Sequence, residues 1–354
     1  MLLSEVNNGG LRSACTAWLG DRDAVVEWLA RDAFSGSAIV RVCDGDPEGD
    51  LVLKSFPAKA RPRIAWVHGL MASLRAAGCQ EVPAVVTARS GGTIIEDGNG
   101  RAWEAVRFVS GVATEEPSVG QARAAAAAVA RLHLAAAAWP AAPPRGAVPA
   151  AVTRRIEQAG RMLSEPWHSV ATPGGAVTSL GDAMAARLVQ ATAIARETGL
   201  SGALQRVMAE RATPSMLQAV VRDLWSSHVL FATDERTRVA GLVDFHAAAV
   251  DTPATDLARL LGSWCRGPAI PLDDVCREAL AAYESIRPLT AEEHRLVPWL
   301  DATATIFGLD NWFRWVLVEG RRFECSARVF QRVDRLVKRL AEAVVWLGGQ
   351  QGPV

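Results

Sequence analysis

Polar and apolar positions change rhythm once along the chain. In the first hundred residues the runs SGSAIVRVCDG (35–45) and LVLKSF (51–56) have strand length and strand alternation. The Asp/Gly/Pro cluster DGDPEGD (44–50) between them predicts an antiparallel hairpin. Ahead of them, RDAVVEWLARDAF (22–34) carries apolar residues at helical spacing and predicts a helix. RPRIAWVHGLMASLRAAG (61–78) predicts a second helix that stops at Gly78, a C-cap. EVPAVVTA (81–88), GGTIIED (91–97) and RAWEAVRFVSG (101–111) read as further antiparallel strands.

From about residue 118 the spacing turns helical. SVGQARAAAAAVARLHLAAAAW (118–139) predicts a long helix, and WPAAPPRGAVPA (139–150) a linker that cannot continue it. Helices are predicted near 151–164, 181–197, 255–264, 272–285, 291–319 and 326–347, with a loop over 165–181. Strand signal returns only between 217 and 246, in LQAVVRD, HVLFA and VAGLVDF. The expected fold is therefore α+β and two-lobed. A small antiparallel β-rich lobe spans 1–107, and a larger, mainly helical lobe spans 108–354 with a short strand pair bearing carboxylates.

Composition narrows the classes without changing that outline. The 354 residues carry a formal net charge of +0, and half of them are hydrophobic, which suits a soluble globular protein. Zero net charge gives no general electrostatic case for nucleic acid or anionic lipid. The tract 124–139 is interrupted by Arg131 and His133, so it predicts a buried helix, not a membrane span. None of the six cysteines forms a C-x-x-C pair, as for reduced thiols, and the N-terminus has no basic start followed by an apolar run. A cytoplasmic protein is expected, without nucleic-acid or membrane partner; oligomeric state is not readable.

Three residues carry the candidate chemistry. Asp223 ends the run LQAVVR and Asp244 ends VAGLV, so both can converge at one edge of a small sheet. Phosphoryl transfer needs one carboxylate to orient the attacking hydroxyl and another to hold the magnesium that bridges the phosphates. Lys54, inside the apolar strand LVLKSF, is costly to bury unless a phosphate or carboxylate pairs with it. Alone, each has a bland reading: a solvent-facing lysine, or an Asp that caps a turn.

The order strand-Lys, helix, strands, helical lobe, Asp, Asp resembles the aminoglycoside phosphotransferase and choline kinase family of protein-kinase-like enzymes. VRDLWSSHVLF (221–231) looks like its catalytic loop, usually H-G-D-x-H-x-x-N-x-L, and GLVDFHAAAVDTPATDLARLL (241–261) like its metal-binding segment. VARLHLAA (129–136), RFVSG (107–111) and FSGSAIVRV (34–42) look like the helix before the loop, the interlobe connector and the nucleotide-covering loop.

The resemblance implies ATP and Mg²⁺ as cofactors and transfer of the γ-phosphoryl group to a hydroxyl of a small molecule: an amino alcohol, an aminoglycoside-like compound or a sugar. Asp223 would position the acceptor hydroxyl, Asp244 would be the principal magnesium ligand, and Lys54 would contact the phosphates. Ser35, Gly36 and Ser37 would lie over the phosphates. Residues 104–108, Glu104 and Arg107 among them, would face the adenine through backbone groups. Asp256 would cap the following helix and brace the loop.

Three positions depart from the family pattern. Val221-Arg222 replaces His-Gly before the Asp. His228 replaces the Asn that binds a second metal. It can ligate a metal such as Mn²⁺, hydrogen-bond to Asp223 or phosphate, or mark a catalytically weak protein. The helix after Lys54 has no Glu to pair with it; His68 lies near that place. These departures carry the alternative of an inactive, nucleotide-binding regulatory protein. The short segment 244–256 leaves little room for the activation loop of a protein-substrate kinase. His246 could touch phosphate or metal. On the acceptor side, Trp312, Trp315 and Glu319 share one helical face, which with Asp310 suits a cationic amine or, equally, core packing. Arg321 and Arg322 would instead favour an anion.

Overall fold

A computed structural model describes residues 2–5, 8–22, 24–30, 38–43, 45, 49–139, 147–167, 179–210, 216–264, 274–321, 323 and 325–349. The expected covering loop at Ser35, Gly36 and Ser37 lies outside the described residues, as do Arg322 and much of the stretches 139–150 and 165–181.

The N-terminal region holds a five-stranded antiparallel sheet built from β1 (Val25–Ala30), β2 (Ile39–Cys43), β3 (Leu51–Pro57), β4 (Ile94–Glu96) and β5 (Arg101–Arg107), in the order β1-β2-β3-β5-β4. One face packs on α1 (Gly9–Leu19), where Leu11, Cys15 and Trp18 meet Val26, Val40, Leu53 and Trp103 in a separate core. Helix α2 (Arg61–Ala76) ends before Gly78, whose φ of +96° suits glycine alone.

Two expectations change here. The helix predicted over 22–34 is strand β1 instead. Its inward set is Ala24, Val26 and Trp28, while Val25 and Leu29 are also apolar but face outward at this sheet edge. Apolar residues on both faces erase the alternation that marks a strand. The strand expected at 81–88 is reduced to one bridge, Val85 to Val106, in an otherwise irregular segment that contains Pro83.

The C-terminal region is helical: α3 (Val119–Ala136), α4 (Ala150–Ser164), α5 (Ser179–Thr198), α6 (Leu200–Ala209), α7 (Ala254–Trp264), α8 (Asp274–Glu284), α9 (Ala291–Phe313) and α10 (Ser326–Gly349). Ser118 and Gln121 close a reciprocal capping box at the start of α3, and Thr290 and Glu293 do so for α9. Helix α3 packs on α8, α9 on α7 and α10, and α10 on α5 and α6, around one continuous apolar core. The α+β division expected from the sequence is the one observed. Among the described residues no helix is long and apolar enough to cross a membrane.

Between the helices sit two small ribbons. Strand β6 (Gln218–Val220) pairs with β9 (Ala249–Asp251), and β7 (Val229–Phe231) pairs with β8 (Val239–Leu242). The connector from β5 is stitched to this inner ribbon by the Val112–Phe231 bridge. A Cβ on Gly111 would lie 2.9 Å from the Phe231 carbonyl oxygen, so only glycine allows that approach.

Candidate active site

The pairing is nested: β7 and β8 lie within the chain segment that β6 and β9 bracket. Both loops, 221–228 and 243–248, therefore leave one ribbon and enter the other at the same place, and they must face each other. Each loop turns on a non-glycine residue in the left-handed region, Arg222 at φ +68° and Asp244 at φ +62°. Such backbone costs on the order of 1–3 kcal/mol and persists only where the surroundings hold it. Asp256 does the holding for the first loop. Its carboxylate accepts the Val221 N–H at 2.8 Å and the Arg222 N–H at 2.6 Å. His133, from α3, lies 3.0 Å from the same carboxylate and 2.7 Å from the Tyr283 hydroxyl. His133, Asp256 and Tyr283 are all fully buried.

Asp223 projects from this braced turn and is half-open to solvent. Its Oδ1 accepts the indole N–H of Trp225 at 2.6 Å, and Arg259 Nε stands 3.9 Å away. His228 joins the two loops. Its Nδ1 is 2.7 Å from the Asp223 backbone carbonyl, which can only accept, so Nδ1 carries a proton. In the neutral ring Nε2 then holds the lone pair, and it stands 4.0 Å from Asp244 Oδ2. That separation is too long for a hydrogen bond.

Asp244 sits in a closed charge network. Lys54, from β3, reaches across to its Oδ1 at 3.0 Å. His246 Nδ1 lies 3.0 Å from the same oxygen and 3.1 Å from the lysine nitrogen. On the far side of that ring, Nε2 is 2.7 Å from Glu104 Oε1, off the line of the ring N–H, so this is a charge contact and not an aligned hydrogen bond. Glu104 Oε2 in turn accepts from His68 Nε2 at 2.7 Å, and the other nitrogen of His68 meets Thr93 Oγ1 at 2.9 Å.

The electrostatics follow the geometry. Burial pushes the Glu104 carboxyl up, but His246 and His68 outweigh it and hold it down at about 2. Burial likewise opposes ionisation of Asp244, yet His246, Lys54 and His228 keep its carboxyl well below the usual range. Burial lowers His246, but Glu104 and Asp244 raise it above the ordinary imidazole value.

Glu104 therefore differs from its expected place. It lies in mid-strand, directly opposite Lys54 on β3 and Ile94 on β4, with its side chain buried. It is not at an adenine-facing edge. With His68 it occupies the ground where a helix glutamate was missing. Arg107, at the exposed end of β5, donates to the Gly49 carbonyl at 2.8 Å. The sequence signal for Glu104 was available only through strand register, because 50 residues separate it from Lys54.

The expected acceptor face is internally satisfied. Asp310 is fully buried and receives Trp167 Nε1 at 3.2 Å and Arg314 Nε at 3.2 Å, with Arg161 at 3.4 Å. Trp312 is buried, edge-on to Trp315 at 5.2 Å and to Phe323 at 5.3 Å. Arg321 lies over Trp315 at 5.0 Å and pairs with Glu319 at 2.6 Å. Both carboxylates of this face are already matched by arginines. None of these four residues touches Asp223 or Asp244 in the contacts described.

Among the described residues no three His, Cys, Asp or Glu side chains form a cage for a metal by themselves. The donor set still fits a divalent cation whose remaining ligands are phosphate and water: the Asp244 carboxylate, and a His228 nitrogen that carries no proton in the neutral ring. A surface depression of about 350 Å³ lined by Thr16, Gly20 and Arg89 shares no residue with this site.

Comparison with known proteins agrees with the geometry. The sequence model described as "Phosphotransferase enzyme family" matches residues 33–289. A homoserine kinase of Gluconacetobacter diazotrophicus is 28% identical over 323 residues, 88% of each chain. The structure of a spectinomycin phosphotransferase in complex with ADP and spectinomycin superposes with a TM-score of 0.64 at 10% identity, over 95% of this chain and 97% of the other. A microcompartment-associated aminopropanol kinase superposes with a TM-score of 0.59 at 17% identity, over 96% and 98%. The family match covers well over half of the chain, and the kinase-like fold spans nearly all of it: the chain belongs to the phosphotransferase enzyme family.

Proposed function

We propose that this protein transfers the γ-phosphoryl group of ATP to a hydroxyl of a small molecule, with Asp223 as the acceptor-side carboxylate and Asp244 as the nucleotide-side one. The observation that carries the reading is the nested loop pair, with Lys54 delivered from the N-terminal sheet onto Asp244 at 3.0 Å.

Asp223 is the carboxylate with an oxygen to spare. Trp225 fixes one oxygen, which leaves the other to accept a hydrogen bond from an incoming hydroxyl and orient its lone pair for attack. Asp244 is the charged carboxylate, held ionised by its neighbours. Lys54 would give up part of its contact with Asp244 to phosphate oxygens of a bound nucleotide, while the Glu104 carboxylate would remain as negative charge near it. A divalent cation on Asp244 and His228 would neutralise charge on the phosphates. An imidazole ligand makes Mn²⁺ a good alternative to Mg²⁺. The homoserine and aminopropanol kinases among its relatives make short hydroxylated amines and amino acids the first acceptors to try.

A coupled assay of acceptor-dependent ADP release, run with Mg²⁺ and with Mn²⁺ over such acceptors, tests this reading. It expects acceptor-stimulated turnover that Asp223→Asn removes. Metal-dependent nucleotide binding without turnover on any acceptor would favour the regulatory alternative.

A further inference from the structure

Two arginines flank Asp223, and neither has a structural carboxylate of its own; a third, Arg155, adds its charge beside Arg259. Arg259, on α7, stands with its guanidinium carbon 4.6 Å from the centre of the Trp225 ring, and Arg332, on α10, 4.1 Å from it. Trp225 is the residue whose indole holds Asp223. A guanidinium lying over an aromatic ring spends none of its N–H donors on that contact. Arg155, on α4, gives one N–H to Thr303 Oγ1 at 3.0 Å.

The neighbouring acids are taken elsewhere. Asp251 pairs with Arg154 at 3.0 Å, Asp301 with Arg339, and Glu115 with Arg335. Among the described residues no carboxylate lies within ion-pair distance of Arg155 or Arg332, and Arg259 has only Asp223, at 3.9 Å. Burial first, and then the charge of Arg259, hold the Arg155 guanidinium below its ordinary value, although it stays charged at any physiological pH. Burial likewise lowers Arg332, with Asp223 opposing and Arg259 adding to the effect. In a chain of zero net charge this is a local excess of positive charge, with Arg259 and Arg332 from two separate helices beside one carboxylate.

We propose that the surface beside Asp223 binds an acceptor carrying an oxyanion, a carboxylate or a phosphate, through Arg259 and Arg332. The oxyanion supplies the counter-charge these guanidiniums lack, and bidentate contact to a planar fork sets the distance from anion to hydroxyl. An acceptor so held is a short hydroxy acid, hydroxy amino acid or phosphorylated alcohol. Polycationic acceptors are disfavoured by the same charges. The inference rests on the phosphotransferase reading only for naming the ligand an acceptor.

Calorimetric titration of the full-length protein with L-homoserine, glycerol 3-phosphate and 3-amino-1-propanol tests it, each with and without saturating AMP-PNP and Mg²⁺. Saturable binding of L-homoserine through its carboxylate, or of glycerol 3-phosphate through its phosphate, is expected, with the stronger of them identifying carboxylate or phosphate. Arg332→Gln and Arg259→Gln should each weaken that binding about tenfold or more, and Arg332→Lys should restore part of it. Binding of aminopropanol should stay weaker and unmoved by these variants. Thermal unfolding of each variant, unchanged in cooperativity, shows that it is folded. No saturable anion binding in the wild type, equal affinity in the arginine variants, or preference for the amine would each overturn the proposal. Loss of metal-dependent AMP-PNP binding would instead overturn the kinase reading, and the titrations without nucleotide would still decide the anion site.

Discussion

Asp223 and Asp244 occupy matching positions, each just beyond a short strand of the same nested ribbon pair, yet their surroundings are opposite. Both side chains are about equally exposed, but Asp244 contacts Lys54 and His246, with Glu104 and His68 behind them, and these neighbours hold its carboxyl below the usual range. Asp223 is tethered by one indole N–H and lies beside arginines that lack other acids. Matching backbone therefore does not mean matching chemistry. On the proposed reading, the network around Asp244 would meet the phosphates, and the oxygen of Asp223 left by Trp225 would meet an acceptor. The C-terminal aromatic face adds a third case, in which the carboxylates Asp310 and Glu319 are each paired with an arginine.

The sharpest way to break this contrast is at Asp223. Asp223→Asn keeps the shape and the Trp225 contact but removes the charge, so turnover should fall by roughly 10²–10⁴-fold. Nucleotide affinity should hardly change, as calorimetry with AMP-PNP would show. An equal loss in nucleotide binding would mean that the two carboxylates are not divided as argued.

Trp312→Ala probes the third region. Deleting a buried tryptophan should cost about 3–5 kcal/mol of stability in denaturant unfolding, while the acceptor KM of the folded fraction stays constant. A selective rise in acceptor KM would return the aromatic face to the acceptor site.

Within the closed network, Glu104→Gln leaves His246 and His68 without their buried counter-charge and should destabilise the protein by about 3 kcal/mol. Its pH signature is distinctive. Glu104 in the folded protein lies at about 2, below its ordinary 4.5, so the stability it contributes is complete above 4.5 and is lost as pH falls toward 2. Thermal unfolding across that window should therefore show a smaller decline for Glu104→Gln than for the wild type. Asp244, lowered as well, contributes in the same sense and stays in both proteins.

The smallest effect is expected at His228. His228→Asn exchanges an imidazole nitrogen for an amide oxygen and should shift the Mn²⁺ over Mg²⁺ preference of turnover by about tenfold toward Mg²⁺. An unchanged preference would reduce His228 to its hydrogen bond with the Asp223 carbonyl.

Much of this was legible in the sequence where a local rule applied. Strand runs ending in Asp located both loops, an apolar strand isolated Lys54, and Gly78 marked a helix end. Legibility failed where the deciding partner was remote. Strand β1 reads as a helix because its edge position tolerates Val25 and Leu29 on the outer face. Glu104 meets Lys54 only through strand register, and His246 meets Glu104 from 142 residues further on. Arg155, Arg259 and Arg332 come from three helices, and no spacing rule links them. Trp225 did lie inside the loop that drew attention first, but a tryptophan there reads as packing until its N–H is seen on Asp223.

The central claim is that Asp244, and not Asp223, holds the metal–nucleotide complex. A thermal-shift titration with ATP plus Mg²⁺ or Mn²⁺, on the wild type, Asp244→Ala and Asp223→Asn, tests it most directly. Metal-dependent stabilisation should appear in the wild type, persist in Asp223→Asn and vanish in Asp244→Ala. Stabilisation that survives in Asp244→Ala, or is absent from the wild type, would contradict the account.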